Sequence, residues 1–146
     1  MKKAGNGFQE KFSKFITIME EDPDILLAYL FGSHARNEAG PLSDIDLAVL
    51  LRPASEKDLF AKKLNLLKEL TTLFTGTDID LVILNEAPLV LKFNILKDSK
   101  PLYICDNNLH DELIQRAITE YLDFKPVLAC HYQALQKRIE ANQYAN

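Results

Sequence analysis

The sequence predicts an α/β (α+β) fold: a mixed β-sheet of about three to four strands, flanked by helices and followed by a C-terminal helical pair. Three observations predict it. The runs ILLAYLF (25–31), DIDLAVLL (44–51) and TDIDLVIL (77–84) are short, apolar and of strand length. The segments before the first run and after the second carry apolar residues three and four apart, which is helical spacing. Beyond residue 107 the spacing stays helical.

Residues 1–7 are basic and Gly-containing and read as a frayed end. Phe8, Phe12, Phe15, Ile16 and Met19 then give a helix with one apolar face, which Pro23 ends. The first strand, 25–31, closes at Gly32. Residues 33–43 are polar, contain Gly40-Pro41 and read as a connection, with a brief helical turn opening at Ser33. The second strand, 44–51, is closed by Pro53. Ser55 is placed to cap a helix carrying Leu59, Phe60, Leu64, Leu67, Leu70 and Phe74, with Gly76 just past its end. After the third strand, Asn85 and Pro88 open a helix with Leu89, Phe93 and Leu96. PLYIC (101–105) suits an edge strand, since Pro101 is tolerated at a strand start. Leu109, Leu113, Ala117 and Tyr121 mark one terminal helix; Leu128, Tyr132, Leu135 and Ile139 mark another, opened by Pro126.

The chain of 146 residues shows no repeat or linker, so it reads as one domain over 1–146, with 107–146 its helical C-terminal part. An apolar fraction of 47% and a charged fraction of 26% are ordinary for a soluble protein. The net charge of −4 disfavours a large nucleic-acid surface. Cys105 and Cys130 have no metal-binding spacing and read as buried or inert thiols in a reducing compartment. There is no apolar signal segment, and no stretch approaches the ~20 apolar residues that span a bilayer. A soluble, cytoplasmic protein without a membrane partner is expected.

Asp44 and Asp46 stand at the start of the second strand, where aspartate is disfavoured and costly to bury. Residues i and i+2 of a strand share a face. The third strand repeats the pattern with Asp78 and Asp80. A helix of crossover length joins the two strands, so they can run parallel with their N-terminal ends side by side. Asp44, Asp46 and one of Asp78 or Asp80 then converge at one sheet edge. Clustered carboxylates repel one another, and a divalent cation removes that repulsion. Mg²⁺ prefers such oxygen ligands together with substrate phosphates, and two ions can serve a phosphoryl-type displacement. The short connection lets strands one and two pair antiparallel, which lands Gly32-Ser33 beside Asp44. Glycine permits close approach of a phosphate, and Arg36, one turn on, could pair a phosphate or an aspartate. Lys62, Lys63 and Lys68 read as a solvated helix face, and His110 as a surface or packing residue.

Gly32-Ser33, ten residues, Asp44-x-Asp46, an intervening Arg and a later strand aspartate resemble the DNA polymerase β-like nucleotidyltransferase superfamily. GSHAR, SDIDLAVLL and DIDLVILNEAP are similar to its minimal, MNT-type members across most of the chain. The resemblance implies a nucleotidyltransferase fold, ATP as substrate and Mg²⁺, two ions in the full site. It implies Asp44, Asp46 and Asp80 as catalytic metal ligands, with Asp80 preferred to Asp78. It implies Gly32, Ser33, Arg36 and Ser43 as nucleotide-binding. Asn37 departs mildly from the pattern, standing where relatives often have Gly. Many MNT proteins are antitoxins beside a HEPN ribonuclease, and some transfer AMP to a tyrosine of that toxin. The expected activity is therefore Mg²⁺-dependent transfer of AMP to a HEPN partner, in a hetero-complex or as a homo-oligomer. The alternatives are a non-catalytic antitoxin that neutralises its partner by binding, and a small-molecule nucleotidyltransferase.

Overall fold

The computed structural model describes residues 2–35 and 44–144. Their order is α1 (Lys2–Glu21), β1 (Ile25–Phe31), α2 (Gly32–Ala35), β2 (Ile45–Leu51), α3 (Glu56–Leu73), β3 (Ile79–Ile83), α4 (Leu89–Asp98), β4 (Lys100–Ile104) and α5 (Asn107–Tyr144). The strands form one mixed sheet in the order β3-β2-β1-β4. β1 pairs antiparallel with both β2 and β4, whereas β2 and β3 are parallel. The expected antiparallel and parallel pairings are both present, and the PLYIC segment is an outer strand.

Alternation along the strands sends side chains to two cores. Ile45, Leu47 and Val49 of β2 pack with Phe15 and Met19 of α1 and Leu59, Leu66 and Leu70 of α3. On the other face, Ala48 packs with Leu27 and Tyr29 of β1, Leu84 and Ile95, against which Leu109 and Leu113 of α5 lie. Asp46 has the parity of Ala48, so it belongs to the α4–α5 face.

Local chemistry sets the boundaries. The Ser55 hydroxyl accepts a hydrogen bond from the Asp58 N–H at 3.2 Å, capping α3. Gly76 beyond α3 takes φ +86°, a conformation costly for any residue with a Cβ. α1 begins at Lys2, so its helix extends back through a segment whose composition suggested fraying. Adding residues to a formed helix is far easier than nucleating one.

The C-terminal pair of helices is in fact a single helix of 38 residues with Pro126 inside it. Proline removes one backbone donor and crowds the preceding turn. Residues 122–127 are exposed, so water can serve the carbonyl left without its partner, and the helix continues. Cys105 and Cys130 are free and exposed, so of the two readings, buried or inert, burial is excluded.

Candidate active site

The acidic edge is built by strand register. In the parallel pair, Asp46 is level with Asp80, and the Ile45 N–H donates to the Asp78 carbonyl at 2.9 Å. Adjacent strands lie about 4.8 Å apart, and partners in register project to the same face. Two residues earlier on each chain, Asp44 and Asp78 precede their strands, and both are exposed. Asp80 is exposed and Asp46 half-buried.

From the other side, Phe31 of β1 is level with Asp46 in the antiparallel pair. The next residue, Gly32, opens α2 with φ +72°. A Cβ at Gly32 would collide with the Asp46 carboxylate. Two independent reasons therefore demand glycine here: the left-handed backbone and the carboxylate lying against it. Ser33 and His34 follow on α2, both half-buried, while Ala35 is buried and anchors the turn. Arg36 and Ser43, the other nucleotide-binding candidates, lie outside the described residues.

Strand register thus brings Gly32, Asp46 and Asp80 together, with Asp44 immediately beside them and Ser33 one residue from Gly32. It does not by itself separate Asp80 from Asp78, which has the same parity. Among the described residues no three acidic, His or Cys side chains are grouped tightly enough to hold a metal ion. The backbone, rather than the side-chain rotamers, makes the convergence. The donors are all carboxylate oxygens, the chemistry Mg²⁺ favours. The space above Asp46 is one that any Cβ would fill. In donor chemistry, these residues suit the ion.

Away from the acidic edge, at the far end of the sheet and in its middle, the structure contains contacts that the sequence did not announce. Asn85 follows β3, and its side chain clamps β2: the Leu51 N–H donates to Asn85 Oδ1 at 2.9 Å, and Asn85 Nδ2 donates to the Leu51 carbonyl at 2.8 Å. The sequence reading gave Asn85 only a helix-opening role. Lys62, expected on a solvated face, is half-buried and pairs with Asp22 and Asp24. Burial alone would lower its pKa, but the hydrogen bond and charge of Asp22, helped by Asp24, outweigh burial and raise it. Tyr29, fully buried in β1, is hydrogen bonded to His110 Nδ1 at 2.6 Å, tying α5 to the sheet. Burial pushes the Tyr29 hydroxyl well above its ordinary pKa. An amide after an apolar strand and a tyrosine within one were the only sequence signals for these links.

The family model described as "Polymerase beta, Nucleotidyltransferase" matches residues 13–108, the stretch carrying the whole acidic edge. Among curated proteins none matches the chain. Solved structures do. A chain of a toxin–antitoxin complex with AMP-PNP superposes with a TM-score of 0.67 at 25% identity, covering 89% of this chain and 96% of that one. A chain from the tri-AMPylated Shewanella oneidensis HEPN toxin in complex with MNT antitoxin gives a TM-score of 0.66 at 25% identity, covering 90% and 97%. A third, from an MntA–HepT toxin–antitoxin complex, gives 0.64 at 25% identity, covering 90% and 97%.

Proposed function

The chain belongs to the polymerase β nucleotidyltransferase family, and from that premise we propose that it transfers AMP from ATP to a tyrosine hydroxyl of a HEPN toxin, acting as its antitoxin. The observation that carries this reading is the register of Asp46 with Asp80 across parallel strands, beside a Gly32 whose missing side chain leaves room at Asp46. The likeness to chains from complexes with AMP-PNP and with an AMPylated HEPN toxin supports the nucleotide and the acceptor.

The chemistry follows from the groups present. The acceptor oxygen forms a bond to the α-phosphorus of ATP, and the bond from that phosphorus to the bridging oxygen breaks. Pyrophosphate leaves, and the hydroxyl proton passes to a carboxylate. Asp80 is the base in this reading: it is exposed, at the rim, and level with Asp46. Asp44 and Asp46 are the residues that would hold Mg²⁺, with Asp80 completing the set. When bound, the ion neutralises charge on the phosphates and on the departing pyrophosphate. Gly32 and Ser33 offer backbone N–H groups and a hydroxyl to the triphosphate at the start of α2, where a phosphate oxygen can approach without a Cβ in the way. Arg36 and Ser43 complete the nucleotide site in this reading.

The experiment is incubation of the protein with α-labelled ATP, Mg²⁺ and a HEPN toxin like those of the similar complexes. Label is expected on a tyrosine of the HEPN protein, and on none when Asp44 and Asp46 are both asparagine. Protection of cells by that double variant, with no transfer by the wild type, would instead identify a binding antitoxin.

A further inference from the structure

α1 and α3 lie antiparallel on one face of the sheet. Phe12 of α1 meets Phe74, just past α3, edge-on with ring centroids 5.1 Å apart. At the other end Lys62 of α3 pairs with Asp22 and Asp24, just past α1. The inward sides of the two helices carry Phe15, Met19, Leu66 and Leu70 into the first core. Between their outward sides runs an open groove of about 850 Å³. Lys11, Lys14 and Ile18 line it from α1, and Lys62, Lys68 and Leu73 from α3. Four lysines thus converge from two helices, and Glu69 is the one acidic side chain among the described lining residues. Among the described residues no carboxylate forms an ion pair with Lys11, Lys14 or Lys68. Along α3 alone, Lys62 and Lys68 make a solvated face; the convergence exists only once α1 packs beside it. In a chain of net charge −4, composition does not impose such a gathering of like charges.

We propose that this groove docks an acidic, amphipathic helical segment of a partner protein. Each feature of the groove selects part of that occupant. Unpaired ammonium groups on both rims call for carboxylates, which supply the missing counter-charge. Ile18 and Leu73, both half-buried, give the floor apolar contacts and call for apolar side chains along one side of the occupant. From Lys62 to Leu73 the helix advances roughly 16 Å, about three turns, so a helical segment of about ten residues fits between the rims. A nucleic-acid strand fits less well. Among the described lining residues there is no arginine to fork a phosphate and no aromatic ring on which a base could stack, and Glu69 would face the phosphates. The Leu73 end of the groove leads through the turn at Gly76 to Asp78 and β3, so a docked partner lies toward the end of the molecule where the acidic edge opens. The docking itself does not depend on the proposed reaction.

Fluorescence anisotropy of the whole protein with a labelled synthetic helix, leucine at every third or fourth position and glutamate elsewhere, tests the proposal. Saturable binding that weakens as salt is raised is expected. Lys11→Glu/Lys14→Glu/Lys68→Glu should weaken it at least about tenfold, while circular dichroism still reports a folded chain. The same three lysines changed to glutamine should weaken it in the same direction, and carry the test if the glutamate variant does not fold. Lys97→Glu/Lys125→Glu/Lys137→Glu makes the same change in net charge outside the groove and should leave affinity within about twofold. A peptide of identical composition with its leucines scattered round the helix should bind more weakly. Absence of binding to the wild type, equal loss in both charge-reversed variants, or equal affinity for the scattered peptide would each overturn the proposal. A short single-stranded RNA that bound more tightly than the peptide, and lost its binding in the groove variant, would assign the groove to nucleic acid and overturn it as well.

Discussion

The parallel pair β2–β3 ends in two opposite ways. At the end where the strands begin, aspartates stand level on neighbouring chains, and a carboxylate lies against a glycine in a left-handed conformation. At the end where they finish, Asn85 satisfies both backbone groups of Leu51, the Leu84 N–H donates to the Val49 carbonyl at 2.8 Å, and the Arg52 N–H donates to the Asp24 carbonyl at 2.8 Å. One end gathers like charges and the other pairs its polar groups. Polar pairing is what stability alone selects. Carboxylates set level on neighbouring strands are not what packing selects, and such local departures are where a functional site is sought. The two ends should therefore respond to mutation in opposite currencies, activity at one and folding at the other.

The largest effect belongs to the acidic end. Asp46→Asn should lower AMP transfer by at least about 100-fold, in keeping with loss of a preorganised electrostatic group. Calorimetry beside the labelled-ATP assay separates loss of transfer from loss of folding. Asp80→Asn should follow the same pattern, and Asp78→Asn should retain near wild-type transfer. Equal loss in both variants would remove the preference for Asp80.

At the other end the signs reverse. Asn85→Ala leaves the Leu51 N–H and carbonyl without side-chain partners and should cost about 2 kcal/mol in urea unfolding, with transfer per folded molecule unchanged. In mid-sheet, level with Ala48, Tyr29→Phe removes the hydrogen bond to His110 and should cost about 1 kcal/mol. It also carries a pH signature. In the unfolded chain the hydroxyl ionises near pH 10, whereas burial keeps it protonated in the fold to higher pH. The folded state then binds the extra proton, so this contribution is intact below about pH 10 and falls away as pH rises beyond it. Tm measured across the alkaline range should decline less steeply in Tyr29→Phe than in the wild type. Lys62→Met should cost the least, under about 1 kcal/mol, because its pairs with Asp22 and Asp24 are only partly shielded from water.

The acidic end was legible in the sequence because its signals are local. Asp44-x-Asp46 and Asp78-x-Asp80 break apolar runs, and strand alternation converts each into a shared face. The short 33–43 connection and the long helical crossover fix both strand pairings without tertiary information. The long-range polar pairs were not legible. Asn85 and Leu51 are 34 residues apart, and Tyr29 and His110 are 81 apart. Nothing in either neighbourhood marks the partner. Pro126 misled for a different reason: its local cost is real, but it was set against an exposed turn and a helix already propagating.

The order β3-β2-β1-β4 leaves β3 and β4 as the sheet's outer strands. An uncovered outer strand is a template on which another chain can add, and β4 carries the usual deterrents, Lys100 and Pro101. β3 is only five residues long and has no proline; its one charge is Asp80. If Asp80 is the reacting carboxylate, as proposed, the same charge also opposes strand addition at this edge. Neutralising it should leave a folded protein that is inactive and quicker to aggregate, so this position is held by two separate demands at once.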